Sequence, residues 1–290
     1  MKDLMTKIGF SEEEIQEVLE FVACLKEKNI WKDIEYLAHD IMSAHPCTGN
    51  LRKNLALAES WEERAGVHKY SLDLVLLLQC TLLLKEDYIK KGVSLDLYYE
   101  SMRDLTYKLQ ECKEIYGVTG IFVGFWYDGF FDMTRFALGR LQFELLKFPL
   151  DQMVKIQDME VKKGDLLINM HIPSCGPLTR EKTDQSFAMA KEFFQNAFEG
   201  KNMIFIMESW LLDTDLIALL PEGNIKQFVQ RFQICHVEKN ATFRDGWRVF
   251  GNQWKKSVNQ LPRNTRLQKA IADHLQQGGK LGEGYGLLIP

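Results

Sequence analysis

His171-Ile-Pro-Ser-Cys-Gly-Pro-Leu-Thr-Arg-Glu181 is where this chain passes from an apolar strand into a helix. Leu166-Leu-Ile-Asn-Met-His-Ile172 reads as a strand that Pro173 ends, a loop with one glycine follows, and the Thr179 hydroxyl caps a helix running to Phe198. Such a turn leaves backbone amides at the positive end of a helix dipole, a place for phosphate or another anion, with Arg180 and Lys182 adding charge. The segment also fits an ordinary capped strand-to-helix turn. Cys175 adds a further reading, because a thiol near a helix N-terminus is acidified and His171 lies four residues upstream; a Cys–His hydrolase and a plain loop cysteine both stand.

Working outward, Leu141-Gln-Phe-Glu-Leu145 alternates apolar and polar residues, and Gly164-Asp165 separates Met153–Val161 from the 166–172 strand, which predicts a small antiparallel sheet. Downstream, strands are predicted at Met203–Met207, Gln233–Val237 and Tyr285–Ile289, with helices at Asn224–Phe232 and Thr265–Gln276. Upstream the pattern is different. Ser11-x-x-Glu14 is a capping box leading into Ile15, Val18, Leu19, Val22 and Leu25, so a helix spans about 11–28. Helical spacing recurs over Trp31–Met42, Tyr70–Lys90 and Ser94–Tyr116, and a short helix over Phe125–Phe136 completes a connector. The expectation is an all-α domain over residues 1–136, then an α+β, mixed-sheet domain over 137–290.

Composition agrees with two globular domains: 290 residues, 46% hydrophobic, 26% charged. The net charge of −4 argues against a protein that coats nucleic acid or an anionic membrane. Residues 1–120 carry 15 basic and 21 acidic groups, so the small basic excess belongs to the C-terminal part. The basic residues Arg244, Arg248, Lys255, Lys256, Arg263 and Arg266 interleave with Trp247, Phe250 and Trp254, whose helical spacing reads as a core stripe beneath a solvated face. Six dispersed cysteines without a C-x-x-C pair, a start without a signal-peptide apolar run, and a Leu72–Leu84 run interrupted by Asp73 and Gln79 suggest a cytoplasmic, soluble protein with a buried helix there. His39, His45 and Cys47, or Cys235 and His236, lack zinc spacing, so no metal is expected.

From Gly139 onward the chain resembles the two-domain acyltransferase-like proteins of bacteria, in which a helical N-terminal domain precedes a GNAT-like N-acyltransferase domain. The resemblance is carried by Gly139-Arg-Leu-Gln-Phe-Glu144, His171-Ile-Pro-Ser-Cys-Gly-Pro-Leu178, Glu208-Ser-Trp-Leu-Leu-Asp213, Leu220-Pro-Glu-Gly-Asn-Ile-Lys-Gln-Phe228, Trp247-Arg-Val-Phe-Gly251, and Leu261-Pro through Gly278-Gly279-Lys280. It implies a mixed sheet that splays open at its centre to hold the pantetheine arm of acetyl-CoA or another acyl-CoA, with Ser174, Cys175, Gly176, Thr179 and Arg180 around its phosphates. The loop departs from the family's Q/R-x-x-G-x-G/A pattern: Gly176 is its one glycine, Pro177 has no amide hydrogen, and no Arg or Gln stands in it.

Acyl transfer to an amine needs a base for the ammonium proton and donors for the tetrahedral oxyanion. Glu208, following the Met203–Met207 strand, is the first candidate base and His171 the second; Tyr285, between Gly284 and Gly286, is a candidate proton donor. Each also fits a structural role: an exposed strand-end carboxylate, a packed strand histidine, a wall aromatic. The expected activity is acyl transfer from acyl-CoA, acetyl-CoA first, to a small-molecule or peptide amine. The alternative is a non-catalytic ligand- or protein-binding protein that keeps the GNAT-like fold. No nucleic acid or membrane partner is expected, and the sequence assigns no oligomeric state.

Overall fold

In the computed structural model, which describes residues 1–240 and 242–290, the chain divides into two units, Met1–Ala137 and Leu138–Pro290. The first is built from α1 (Lys2–Ile8), α2 (Glu12–Glu27), α3 (Trp31–Met42), α4 (Thr48–Glu59), α5 (Glu62–Ala65), α6 (Lys69–Lys90), α7 (Leu95–Met102), α8 (Asp104–Tyr116) and α9 (Asp128–Phe131). The capping box forms: Ser11 Oγ accepts the Glu14 amide at 3.2 Å and Glu14 accepts the Ser11 amide at 2.9 Å. α6 is apolar nearly all round, and every residue from Ser71 to Leu78 is buried, so it forms the axis on which the other helices pack. Among the described residues no helix is long and apolar enough to cross a membrane.

Two helical expectations change here. The Ser94–Tyr116 helix is two helices meeting at Arg103, because each piece answers to a different buried anchor: the Tyr98 hydroxyl donates to the Thr81 carbonyl (2.8 Å), and Asp104 accepts the Tyr127 hydroxyl (3.1 Å). The Phe125–Phe136 helix stops at Phe131. Met133 turns to φ +54, which ends the helix and turns the chain into a strand.

That strand is β1 (Arg135–Leu138), at the junction; the second unit continues with β2 (Leu141–Lys147), β3 (Val154–Ile156), β4 (Met159–Val161), β5 (Leu166–His171), α10 (Arg180–Phe198), β6 (Phe205–Ser209), α11 (Thr214–Leu219), α12 (Asn224–Val229), β7 (Gln233–Lys239), α13 (Gly246–Phe250), α14 (Arg266–Gln276) and β8 (Gly282–Leu288). The main sheet runs β1-β2-β5-β6-β8-β7, and β3 and β4 form a separate hairpin. The Met153–Val161 segment is thus two short strands, since Gln157 (φ +52) makes a turn inside it. The Trp247, Phe250, Trp254 stripe also breaks: α13 ends at Phe250, the buried member, while the two tryptophans stay partly exposed under Arg248 and Lys255.

One face of the sheet is apolar and carries α10, through an edge-on cluster of Phe143, Phe187 and Phe205 with ring centroids 5.0–6.1 Å apart. On that face β8 shows only glycine over most of its length. A Cβ on Gly284 would lie 2.7 Å from the Leu212 carbonyl carbon, so the Trp210–Leu212 turn rests directly on the strand backbone. Asp213, fully buried, locks this turn: it accepts the Gly282 amide (2.8 Å), the α11 amides of Asp215 and Leu216 (2.9 and 3.3 Å) and the Lys239 ammonium (2.5 Å).

Candidate functional site

β5 and β6 are parallel neighbours for only two residue pairs, Ile168 with Phe205 and Asn169 with Ile206. β5 runs on to His171 and β6 to Ser209, yet their mutual pairing has ended, while each keeps its outer partner: β2 pairs with β5 out to His171, and β8 with β6 out to Ser209. The sheet therefore opens in its middle, with His171 on one lip and Glu208 on the other. Glu208 lies inside β6, since this strand starts two residues later than the sequence pattern suggests.

Register then decides which side chains meet, because paired residues share a face and the side-chain period is two. Gln142, Glu144, Asn169, His171, Glu208, Glu283 and Tyr285 all fall on one face. At the other end of that face Leu146, Leu167, Ile206 and Leu287 are covered by Val154, Ile156 and Val161 of the hairpin. The hairpin closes the apolar end and leaves the polar end for chemistry.

On the first lip, His171 Nε2 is 2.7 Å from Glu144 Oε1, and Asn169 Nδ2 donates to the same oxygen at 3.0 Å. The two ionisable side chains keep 19% and 16% exposure, enough shelter for their interaction to count. Assigning the Nε2 proton toward Glu144 leaves Nδ1 with the basic lone pair. On the second lip, Glu208 is exposed and engaged by two neighbours. Burial, then the bond to Glu208, holds the Tyr285 phenol well above its ordinary range. Burial followed by Glu208 and Asp245 raises the Glu283 carboxyl, which shares a hydrogen bond with Glu208. Tyr285 thus keeps its proton and donates it to Glu208.

Pro173–Leu178 is shaped from behind. Arg140, only 9% exposed, sends Nη1 to the Pro173 carbonyl (2.9 Å), Nη2 to that of Gly176 (2.6 Å) and Nε to that of Pro177 (3.3 Å). Gly176 sits at φ +115, a conformation that side-chain-bearing residues rarely adopt. The Cys175 amide turns inward to the Pro173 carbonyl (2.9 Å), and its thiol reaches the Arg140 carbonyl (3.8 Å). His171 Nε2 is meanwhile engaged by Glu144, so the histidine forms a His–carboxylate pair. The Thr179 hydroxyl caps α10 by accepting the Lys182 amide at 3.4 Å, while the amides of Thr179, Arg180 and Glu181 have no acceptor within the helix.

Beside that helix start is a cavity of about 220 Å³ lined by Leu178, Arg180, Thr183, Asn224, Gln227, Phe228, Gln230 and Arg231. Arg231 is held facing it, with Nη1 on Thr183 Oγ1 (3.2 Å), Nη2 on Asp184 Oδ1 (2.6 Å) and its guanidinium 5.2 Å from the Phe187 ring centre. Two arginines, the side-chain amides of Asn224, Gln227 and Gln230 and the Thr183 hydroxyl around one hollow at a helix N-terminus suit a phosphorylated ligand. Of the sequence-derived candidates, Arg180 lines this hollow, Thr179 precedes it as the cap of α10, Ser174, Cys175 and Gly176 lie in the adjoining loop, and His171, Glu208 and Tyr285 stand on the two lips. Glu144, Asn169, Arg140 and Arg231 were not singled out. The alternation in Gln142-Phe-Glu144 and Asn169-Met-His171 was the available signal for the first two; the arginines act across distances that no local pattern reports.

Comparison with known proteins bears on both units. Residues 136–288 match the family model for a GNAT-like C-terminal domain, and residues 1–133 that for an N-acyltransferase N-terminal domain. Among curated proteins, none matches the chain. Similar solved structures include an acyltransferase mutant in complex with octanoyl-CoA (21% identity, TM-score 0.76, covering 99% of this chain and 87% of that one). An acyltransferase in complex with decanoyl-CoA and teicoplanin (19%, 0.65) and one with CoA and 10C-teicoplanin (18%, 0.66) each cover 99% of both chains. At these identities the likeness establishes the fold.

Proposed function

Since the chain belongs to the family with a GNAT-like C-terminal domain, here behind an N-acyltransferase N-terminal domain, we propose that it transfers an acyl group from acyl-CoA to the amine of a small molecule. The observation that carries this reading is the opening of the sheet between His171 and Glu208, beside a helix start that suits phosphate. The pantetheine arm of CoA lies in the opening, and the CoA pyrophosphate meets the first-turn amides of α10 with Arg180 and Arg231. The acyl-CoA complexes of structurally similar acyltransferases support the donor class, and the teicoplanin complex supports a small-molecule acceptor.

His171 takes the role of base. Glu208 is exposed and already accepts from Tyr285 and Glu283, whereas His171 has a carboxylate behind it to stabilise the imidazolium that forms. The Glu208 carboxylate favours an ammonium acceptor near the opening, and loss of its proton to the His171 imidazole makes the amine nucleophilic. The amine nitrogen then bonds to the thioester carbonyl carbon, the carbon–sulfur bond breaks, and CoA leaves as the thiol, taking up one proton.

Calorimetry with CoA, then rates across acetyl-, octanoyl- and decanoyl-CoA with a panel of amines, tests the reading and identifies the acyl length. His171→Gln should retain CoA binding and lose about 10²–10⁴ in turnover. Glu208→Gln should lose far less. Absence of CoA binding by the wild-type protein would sink the proposal, and a larger loss in Glu208→Gln than in His171→Gln would return the base to Glu208.

A further inference from the structure

The phosphate loop departs from its family's pattern by having neither the usual cation nor a second glycine, and the structure shows another residue supporting it. We propose that Arg140 is the positioning residue of the acyl-CoA phosphate site, holding the Pro173–Leu178 loop by its carbonyls so that its amides face the ligand. This rests on the acyl-CoA reading above.

Peptide geometry sets the direction of the loop amides. Arg140 draws the carbonyls of Pro173, Gly176 and Pro177 toward one buried guanidinium. In a trans peptide the carbonyl of one residue and the amide of the next point in opposite directions, and neither Pro173–Ser174 nor Pro177–Leu178 is among the cis bonds. The Ser174 amide, following Pro173, and the Leu178 amide, following Pro177, are therefore turned away from Arg140, and Leu178 lines the hollow at the start of α10. A guanidinium can do this because its donors are fixed in a plane and fan out to several acceptors at once, which a lysine ammonium cannot match in span.

Arg140 is itself fixed to the helix that the loop feeds. Its own amide donates to Ser186 Oγ (2.7 Å) on α10, and Gly139 (φ +72) permits that approach, since a Cβ there would lie 2.8 Å from the same oxygen. The β1–β2 turn, the loop and the helix start are one clamped unit.

Kinetics of Arg140→Lys and Arg140→Ala with acyl-CoA and with acyl-pantetheine, which lacks the pyrophosphate, test this. The expected result is a rise of about tenfold or more in KM for acyl-CoA with kcat nearly unchanged, and no change in KM for acyl-pantetheine. Equal changes for both donors, or an unchanged acyl-CoA KM, would overturn it. Hydrogen exchange on the wild-type protein keeps the proposal testable should both variants fail to fold: CoA should protect the 174 and 178–181 amides, and no protection there while CoA binds elsewhere refutes it. A wild-type protein that binds no CoA at all would instead remove the acyl-CoA reading itself.

Discussion

Replacing Glu144 with Gln keeps the shape of the side chain behind His171 and removes its charge. Glu144 Oε1 is 2.7 Å from His171 Nε2, which puts the two charge centres about 4 Å apart once the imidazole is protonated, and at an effective dielectric near 20 their attraction is about 4 kcal/mol. The residual exposure of both side chains trims that toward about 3 kcal/mol, and at 1.36 kcal/mol per decade turnover should fall by roughly 10². A second effect has the same sign: a glutamine amide can donate to Nε2, which moves the imidazole proton to Nδ1 and takes away the basic nitrogen. The assay is initial rate by loss of thioester absorbance at saturating acyl-CoA, beside calorimetric CoA affinity. The expected outcome is a kcat effect with CoA affinity within about twofold, because Glu144 lies on the sheet face and the proposed phosphate site at the start of α10. Turnover within about threefold of wild type would refute the His171–Glu144 pairing as the catalytic arrangement, and an equal loss of CoA affinity would show a general structural defect instead.

Asp213→Ala takes the acceptor from three backbone amides and leaves Lys239 with Asp215 alone, so it should cost about 3 kcal/mol, seen as a melting temperature lower by roughly 2–4 °C per kcal/mol. Asp73 in α6 is buried, and burial with the neighbouring Glu59 raises its carboxyl to about 9. The native state then holds a proton that the unfolded chain releases above about pH 4, so stability falls with rising pH from there to about 9, at up to about 1.4 kcal/mol per pH unit. Asp73→Asn should therefore melt higher than wild type at pH 8, the gap closing toward pH 4; a pH-independent difference would contradict this. Gly284→Ala drives a methyl group into the Leu212 backbone and should cost more than about 2 kcal/mol by urea titration, while Gly164→Ala, with open space around it but φ +90, should cost less.

Local rules in the sequence located those elements whose determinants are themselves local. Trp31–Met42 agrees with its helix end to end, and the Ser11 and Thr179 caps form as written. α4 escaped notice because Thr48-Gly-Asn50 opens it with poor helix formers and its apolar face is thin; it is held instead by packing on α6 and by Asp40, which receives Asn50 and Asn54. The candidate site residues divide in the same way. His171, Thr179 and Arg180 lie in one legible segment, whereas Glu144 and Arg140 become meaningful only when β2 pairs with β5 and the β1–β2 turn meets α10. The phrase Gly139-Arg-Leu-Gln-Phe-Glu144 was legible as a resemblance; its content is one residue for the turn, one for the loop and one for the histidine.

The parting of β5 from β6 has a consequence for the protein's behaviour in a crowded solution. An ordinary open sheet has two edges, both at its rims, and this one has two more inside it, where the strands from Asn169 and Ile206 onward no longer bond to each other. Unpaired strand edges capture other strands, so the interior gap is a place where an extended peptide or a second copy of the chain can add itself. On the proposed acyl-CoA reading, pantetheine, with its own amide groups, competes for the same row of donors and acceptors. Donor supply should then govern colloidal behaviour as well as rate: with CoA present the protein melts higher by RT ln(1 + [CoA]/Kd) and self-associates less on concentration, both readable by thermal melts and light scattering.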